Sequence, residues 1–225
     1  MIGENMSDIT LVMGNKNYSS WSLRPWVLLR HLQLPFEELL IPLDRPETRS
    51  LVAQHSPTGR VPVLKHGELT LWESIAIGEY LCELSGNGWP RERAARAHAR
   101  VVSAEMHAGF GALRAQWPMN ARATGRRTPM TAELHADIER VDALWRECRA
   151  RFGANGSWLF GDYSLADAMY APVALRFRSY GATLSAPAMA YLETVLQDPP
   201  LQQWLAAAAL EPWSIAYSEV GIAVS

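Results

Sequence analysis

Cysteine is scarce in this chain of 225 residues: Cys82 and Cys148 stand far apart, outside any Cys-x-x-Cys pair and away from any histidine cluster. That excludes a disulfide-dense secreted scaffold and a zinc-ligand pattern, and it fits a reducing cytoplasm. Long apolar runs are also lacking, since none approaches the ~18 residues that a membrane helix needs. Charge of one sign is lacking too. The 21 Lys and Arg nearly balance 23 Asp and Glu, leaving a formal net charge of -2. A nucleic-acid binder that works by bulk charge is thereby disfavoured. The opening residues, MIGENMSD, have neither the basic start nor the apolar stretch of a signal peptide. What remains is a chain 48% hydrophobic and 20% charged, enough for a real core in one or two domains.

Alanine is nearly missing from the first part of the chain. Of 31 alanines only Ala53 and Ala76 precede residue 90, and the other 29 follow it. Because alanine is the strongest helix former, the two parts are expected to differ in backbone architecture. The break falls at Ser85-Gly86-Asn87-Gly88-Trp89-Pro90, whose Gly, Asn and Pro do not continue a helix. The expected domains are 8–86 and 92–225.

In the first part, Ile9-Thr10-Leu11-Val12-Met13 reads as a buried strand, followed by a polar loop through Asn15–Ser22. A helix is expected to open at Ser22-Leu23-Arg24-Pro25, where proline is tolerated, and to end at Leu34-Pro35. Phe36–Pro42 reads as a second strand, and residues 43–56 allow a short helix. Val61–Lys65 and Glu68–Leu71 form a hairpin about His66-Gly67. Ser74 is the natural cap of a helix from Ile75 to Leu84. The order is β-α-β-α-β-β-α.

That order resembles the thioredoxin-like domain of the glutathione transferases, and three motifs carry the resemblance. Ser19-Ser20-Trp21-Ser22-Leu23-Arg24 is similar to the SSCS-x-R motif of the zeta class, with tryptophan in place of cysteine. Ser56-Pro57-Thr58-Gly59-Arg60-Val61-Pro62-Val63-Leu64 resembles the NP-x-x-x-VP-x-L segment, and Glu73-Ser74-Ile75-Ala76-Ile77 resembles the E/Q-S-x-A-I segment. The resemblance implies an α/β thioredoxin-like domain followed by an all-α helical bundle. It also implies a cytoplasmic homodimer that takes glutathione as co-substrate, with no separate cofactor and no metal.

It implies site residues as well. Ser19, with Ser20 beside it, would hold the glutathione thiolate at a helix N-terminus; Tyr18 is the third candidate. One unit of thiol pKa corresponds to ~1.4 kcal/mol, so a hydroxyl plus a helix dipole suffices for a shift of about two units. Loop serines also serve as plain helix caps, for which Ser22 is well placed. Arg60, a cis Val61-Pro62 unit, Glu73 and Ser74 would bind the tripeptide: Val61 through its strand edge, Ser74 at the γ-glutamyl carboxylate and Glu73 at the ammonium. With tryptophan at position 21, no cysteine is available for a mixed-disulfide mechanism. Conjugation of glutathione to a small electrophile is the leading expectation; a maleylacetoacetate-type isomerase and a non-catalytic binding module are the alternatives.

In the alanine-rich part, residues 91–117 read as one helix with a stripe of Met106, Phe110, Leu113 and Trp117. His107, Phe110 and Arg114 are the expected second-substrate residues, the first and last able to meet a carboxylate or carbonyl. Helices are expected near 131–152, 168–180, 186–197 and 200–209. Phe160-Gly161-Asp162-Tyr163-Ser164-Leu165-Ala166-Asp167 resembles the family's buried capping box, with Ser164 and Asp167 as its partners. Pro212 and Trp213 begin a tail expected to fold back over the pocket or the first domain.

Overall fold

The computed structural model describes residues 8–223. Strand β1 (Ile9–Met13) is an inner strand of a four-stranded mixed sheet, parallel to β2 (Glu37–Leu40) and antiparallel to β3 (Val63–His66), with β4 (Leu69–Trp72) on the outer edge of β3. Side chains alternate across a strand, and the core divides accordingly. Ile9, Leu11, Met13 and Leu64 join the large core with α1 (Ser20–His31) and α3 (Ser74–Ser85). Val12 and Val63 point the other way, into a small core with Ile41 and with Val52 of α2 (Thr48–Ala53).

Three local expectations change. The first helix starts at Ser20, two residues before the expected opening, and Ser22 does not cap it. The Ser22 hydroxyl oxygen instead accepts from the Gly14 amide at 3.1 Å and from Ser19 Oγ at 2.8 Å, stitching β1 to the helix start. In the hairpin, His66 pairs with Leu69, so the two-residue turn is Gly67-Glu68. At the third helix, Glu73 occupies the cap position and Ser74 is the first helical residue.

The helical part comprises α4 (Arg93–Ala108), α5 (Gly111–Gln116), α6 (Ala132–Phe152), α7 (Leu165–Tyr180), α8 (Ala186–Leu196) and α9 (Pro199–Ala209). The single helix expected over 91–117 is therefore broken, because Gly109 is extended and Phe110 left-handed at φ 59°. A Cβ at Gly109 would lie 2.8 Å from the Glu105 carbonyl oxygen, so the missing side chain lets the chain turn there. The apolar stripe survives the break: Met106, Phe110, Leu113 and Trp117 are all buried.

Helix α7 is the axis of the molecule, buried along almost its whole length and packed on both α1 and α4. It starts one turn earlier than 168 because a capping box sets its N-terminus. The Ser164 and Asp167 side chains exchange hydrogen bonds with each other's backbone across the first turn. Gly78 admits this end of α7, since a Cβ there would meet Leu165 Cδ1 at 2.5 Å.

The tail returns to the first domain. The Glu211 carboxylate accepts from the Lys16 and Asn17 amides at 2.6 and 2.9 Å. Farther on, β6 (Ile222–Ala223) pairs with β5 (Arg126–Arg127). Cys82 and Cys148 are free and buried, and burial pushes both thiols up to about 12. Native protein is thus expected to react with a disulfide-exchange dye only after denaturation. Rapid labelling of either thiol in the native state would contradict this.

Candidate functional site

A cleft of about 210 Å³ opens where the two halves meet. Three parts of the first domain reach it. The first turn of α1 supplies Trp21; the loop before β3 supplies Thr58, Arg60, Val61 and Pro62; the junction of β4 and α3 supplies Trp72, Glu73 and Ser74. From the helical part, α4 contributes His107 and α5 contributes Arg114. The break at Gly109 separates those two into different helices, yet both reach the same opening.

The β4–α3 junction is the most specialised part. Glu73 adopts φ 66°, a left-handed conformation that costs a non-glycine residue ~1–3 kcal/mol and concentrates at functional sites. Immediately after it, Ser74 is only 2% exposed, and its Oγ has no hydrogen-bond partner among the described residues. A buried hydroxyl without a partner is costly, and here it lines an open cleft. The first N–H groups of α3 lack intrahelical acceptors, and no acidic side chain occupies that turn. Together they form an acceptor-free, positively polarised corner suited to a carboxylate.

Opposite charges bracket that corner. The exposed Arg60 side chain is in no ion pair among the described residues. The Val61–Pro62 peptide is cis, and the strand register begins only at Val63, leaving residues 61 and 62 beyond the paired ladder. His107 Nε2 stands 3.4 Å from Glu73 Oε2. Burial, then the charge of Arg24, pulls the His107 pKa down, with Glu73 acting against it, so the ring is neutral at neutral pH. Its Nδ1 is buried without a partner among the described residues.

Trp21, where the motif has cysteine, is the wall on the α1 side. The His107 ring meets it edge-on at 5.4 Å, the Arg24 guanidinium lies 4.0 Å from its centre and that of Arg114 5.4 Å. Phe110 does not join this cleft; its left-handed backbone turns the ring into the main core.

The serines sit just behind the wall. Ser19 and Ser20 are 6% and 8% exposed and are not among the residues lining the cleft. Ser19 takes the cap position of α1, and its hydroxyl donates to Ser22 Oγ. Ser20 Oγ makes no hydrogen bond among the described residues. Tyr18 is committed elsewhere: its hydroxyl donates to Glu219 Oε1 at 2.6 Å and accepts from Arg122 at 3.0 Å, inside the strap formed by the tail. Sequence reasoning did not single out Trp21, Thr58 or Trp72 as part of the cleft. The first was visible only as a departure from a motif, and the other two carried no signal.

Family profiles of the glutathione S-transferase N-terminal and C-terminal domains match residues 18–84 and 131–207, together more than half of the chain. The chain belongs to the glutathione S-transferase family. Its fold is that of the family, a thioredoxin-like α/β domain with a mixed sheet followed by an all-helical domain. It is similar to a glutathione transferase homolog from Burkholderia GL BGR1 solved with bound glutathione, at 26% identity and a TM-score of 0.66, covering 89% of this chain and 97% of that one. A theta-class glutathione S-transferase from Xanthomonas axonopodis pv. citri, also solved with glutathione, shares the fold at 21% identity and a TM-score of 0.63, covering 88% and 97%. Among curated proteins, the dichloromethane dehalogenase of Methylorubrum extorquens is 38% identical over 71 residues. That match covers 29% of this transferase-family chain and 25% of the dehalogenase, so the chain spans about a quarter of the curated relative's length.

Proposed function

We propose that this protein is a glutathione transferase that presents the glutathione thiolate to a small electrophile. The observation that carries the reading is the unpartnered Ser74 hydroxyl at the start of α3, in one cleft with Arg60, Val61–Pro62 and Glu73. In this reading the γ-glutamyl carboxylate accepts from Ser74 and the α3 amides, and its ammonium meets Glu73. The cysteinyl unit pairs with Val61 as an added strand, and Arg60 takes the glycine carboxylate. The thiol then points toward the N-terminus of α1, where the thiolate is favoured by the dipole and by the Ser20 hydroxyl, or by that of Ser19 once its hydrogen turns from Ser22 Oγ to the sulfur.

The reaction follows from that placement. The thiol releases its proton to solvent, the sulfur attacks the electrophilic carbon, a C–S bond forms, and the leaving group departs with its electron pair. The likeness to a dehalogenase favours a halide as that leaving group. A cytoplasmic homodimer belongs to the same reading; Leu69, Trp72 and Val101, exposed on β4 and α4, supply apolar surface for a second copy.

Calorimetric titration with glutathione, paired with a conjugation assay on an activated aryl chloride, tests the proposal. Ser19→Ala is expected to reduce kcat/KM roughly hundredfold and to raise the pKa of the bound thiol, read from thiolate absorbance. Undiminished activity would transfer the role to Ser20, whose Ala variant is the companion measurement. No glutathione binding by the wild type would refute the reading. Binding without turnover across a broad electrophile panel would leave a binding module.

A further inference from the structure

Burial lowers the proton affinity of Arg24 and Arg176, and nearby positive charge adds to it: that of Arg176 and Arg114 at Arg24, and that of Arg114 at Arg176. Arg24 and Arg176 are 1% and 4% exposed. Among the described residues none of the three is in an ion pair. Arg24 donates through Nε to the Met169 carbonyl, while its Nη1 and the Nε of Arg114 are buried with no acceptor among the described residues. Arg176 is satisfied by the Trp117 and Pro172 carbonyls alone.

Burying like charges without a counterion is expensive, and one aspartate or glutamate among them would relieve it. The cleft carboxylate, Glu73, faces His107 instead. Of the three cations, Arg114 opens on the cleft, and Arg24, outside its lining, also packs on the Trp21 ring. In the reading above, both carboxylates of glutathione are already met elsewhere, at Ser74 and at Arg60. The surplus positive charge is left facing the other substrate.

We infer that the electrophile taken by this cleft carries a carboxylate, seated on Arg114 and held by the field of Arg24, with its body against Trp21 and the His107 ring. The inference rests on the glutathione-transferase reading and narrows it from any small electrophile to an anionic one. Guanidinium recognises carboxylate through paired, charge-assisted hydrogen bonds, which the unpartnered Nε leaves available.

The test compares a chloronitrobenzoate with its methyl ester, each conjugated to glutathione by displacement of chloride. Wild-type kcat/KM is expected to favour the acid over the ester roughly ten- to hundredfold, after correction for their uncatalysed rates. Arg114→Gln should abolish the preference by raising the KM of the acid far more than that of the ester. Equal wild-type rates for acid and ester would overturn the inference, and that measurement needs no variant. It would also be overturned if Arg114→Gln left the preference intact, or if it raised the pKa of the bound thiol and slowed both substrates alike, since the cations would then serve the sulfur. Failure of the wild type to bind glutathione at all would strike the underlying reading instead.

Discussion

Ser74→Ala is expected to weaken glutathione binding about ten- to hundredfold without destabilising the protein, the range set by one hydrogen bond to a charged group. The two effects separate because the hydroxyl has no hydrogen-bond partner among the described residues. Removing it relieves a buried, unsatisfied oxygen, so the melting temperature should hold or rise slightly. Helix capping is not lost, since the cap position belongs to Glu73 and no side-chain cap bond is made there. Calorimetric titration and thermal unfolding, run on the same preparation, read both quantities. A fall of several degrees in Tm with unchanged affinity would make Ser74 a structural residue and remove the main support for the binding mode.

Asp167→Ala carries the largest expected effect on stability. Its carboxylate is buried and accepts four hydrogen bonds: from Leu159 N at 3.0 Å, Ser164 N at 2.8 Å, Ser164 Oγ at 2.9 Å and Tyr191 OH at 3.0 Å. Burial pushes its pKa up, and these donors restrain the rise. Truncation would strand four donors at once and remove the box that starts α7, the helix on which α1 and α4 both pack. A loss of about 3–5 kcal/mol is expected, equivalent to a drop in Tm on the order of 10 °C for a chain of this size. Thermal unfolding monitored by circular dichroism measures it. A Tm within about 2 °C of wild type would mean the box is dispensable. The side chain does not line the cleft, so glutathione affinity measured well below the variant's Tm should be retained.

Much of this was legible along the chain because its causes are local. The apolar, β-branched run of β1, a glycine at a hairpin turn and a Ser-x-x-Asp box each act over a few residues, and composition and spacing report them directly. The alanine imbalance marked the change from sheet to helices for the same reason, since helix propensity is a property of each residue. Arg60, Val61, Pro62, Glu73 and Ser74 stood in recognisable segments, and the fold brings all five to one cleft. Errors came where a distant partner or a single glycine overrode the local pattern. The helix start moved to Ser20, and Ser22 is drawn into a bond with Gly14, the residue after β1. Phe110 left the pocket because the chain reverses at Gly109, where a periodic stripe reads as an unbroken helix.

By itself, then, the sequence determined the two-part architecture, the capping box and the candidate tripeptide-binding segments, all set by short-range propensities and spacing. Only the tertiary structure decided what surrounds each of those groups. Among the described residues it left the Ser74 hydroxyl without a partner, tied Tyr18 to Glu219 in the tail, kept Ser19 behind the wall and gathered Arg24, Arg114 and Arg176 without a counterion. The physical reason is that burial, desolvation and charge balance depend on which distant side chains arrive in the same place, and linear spacing does not record those meetings.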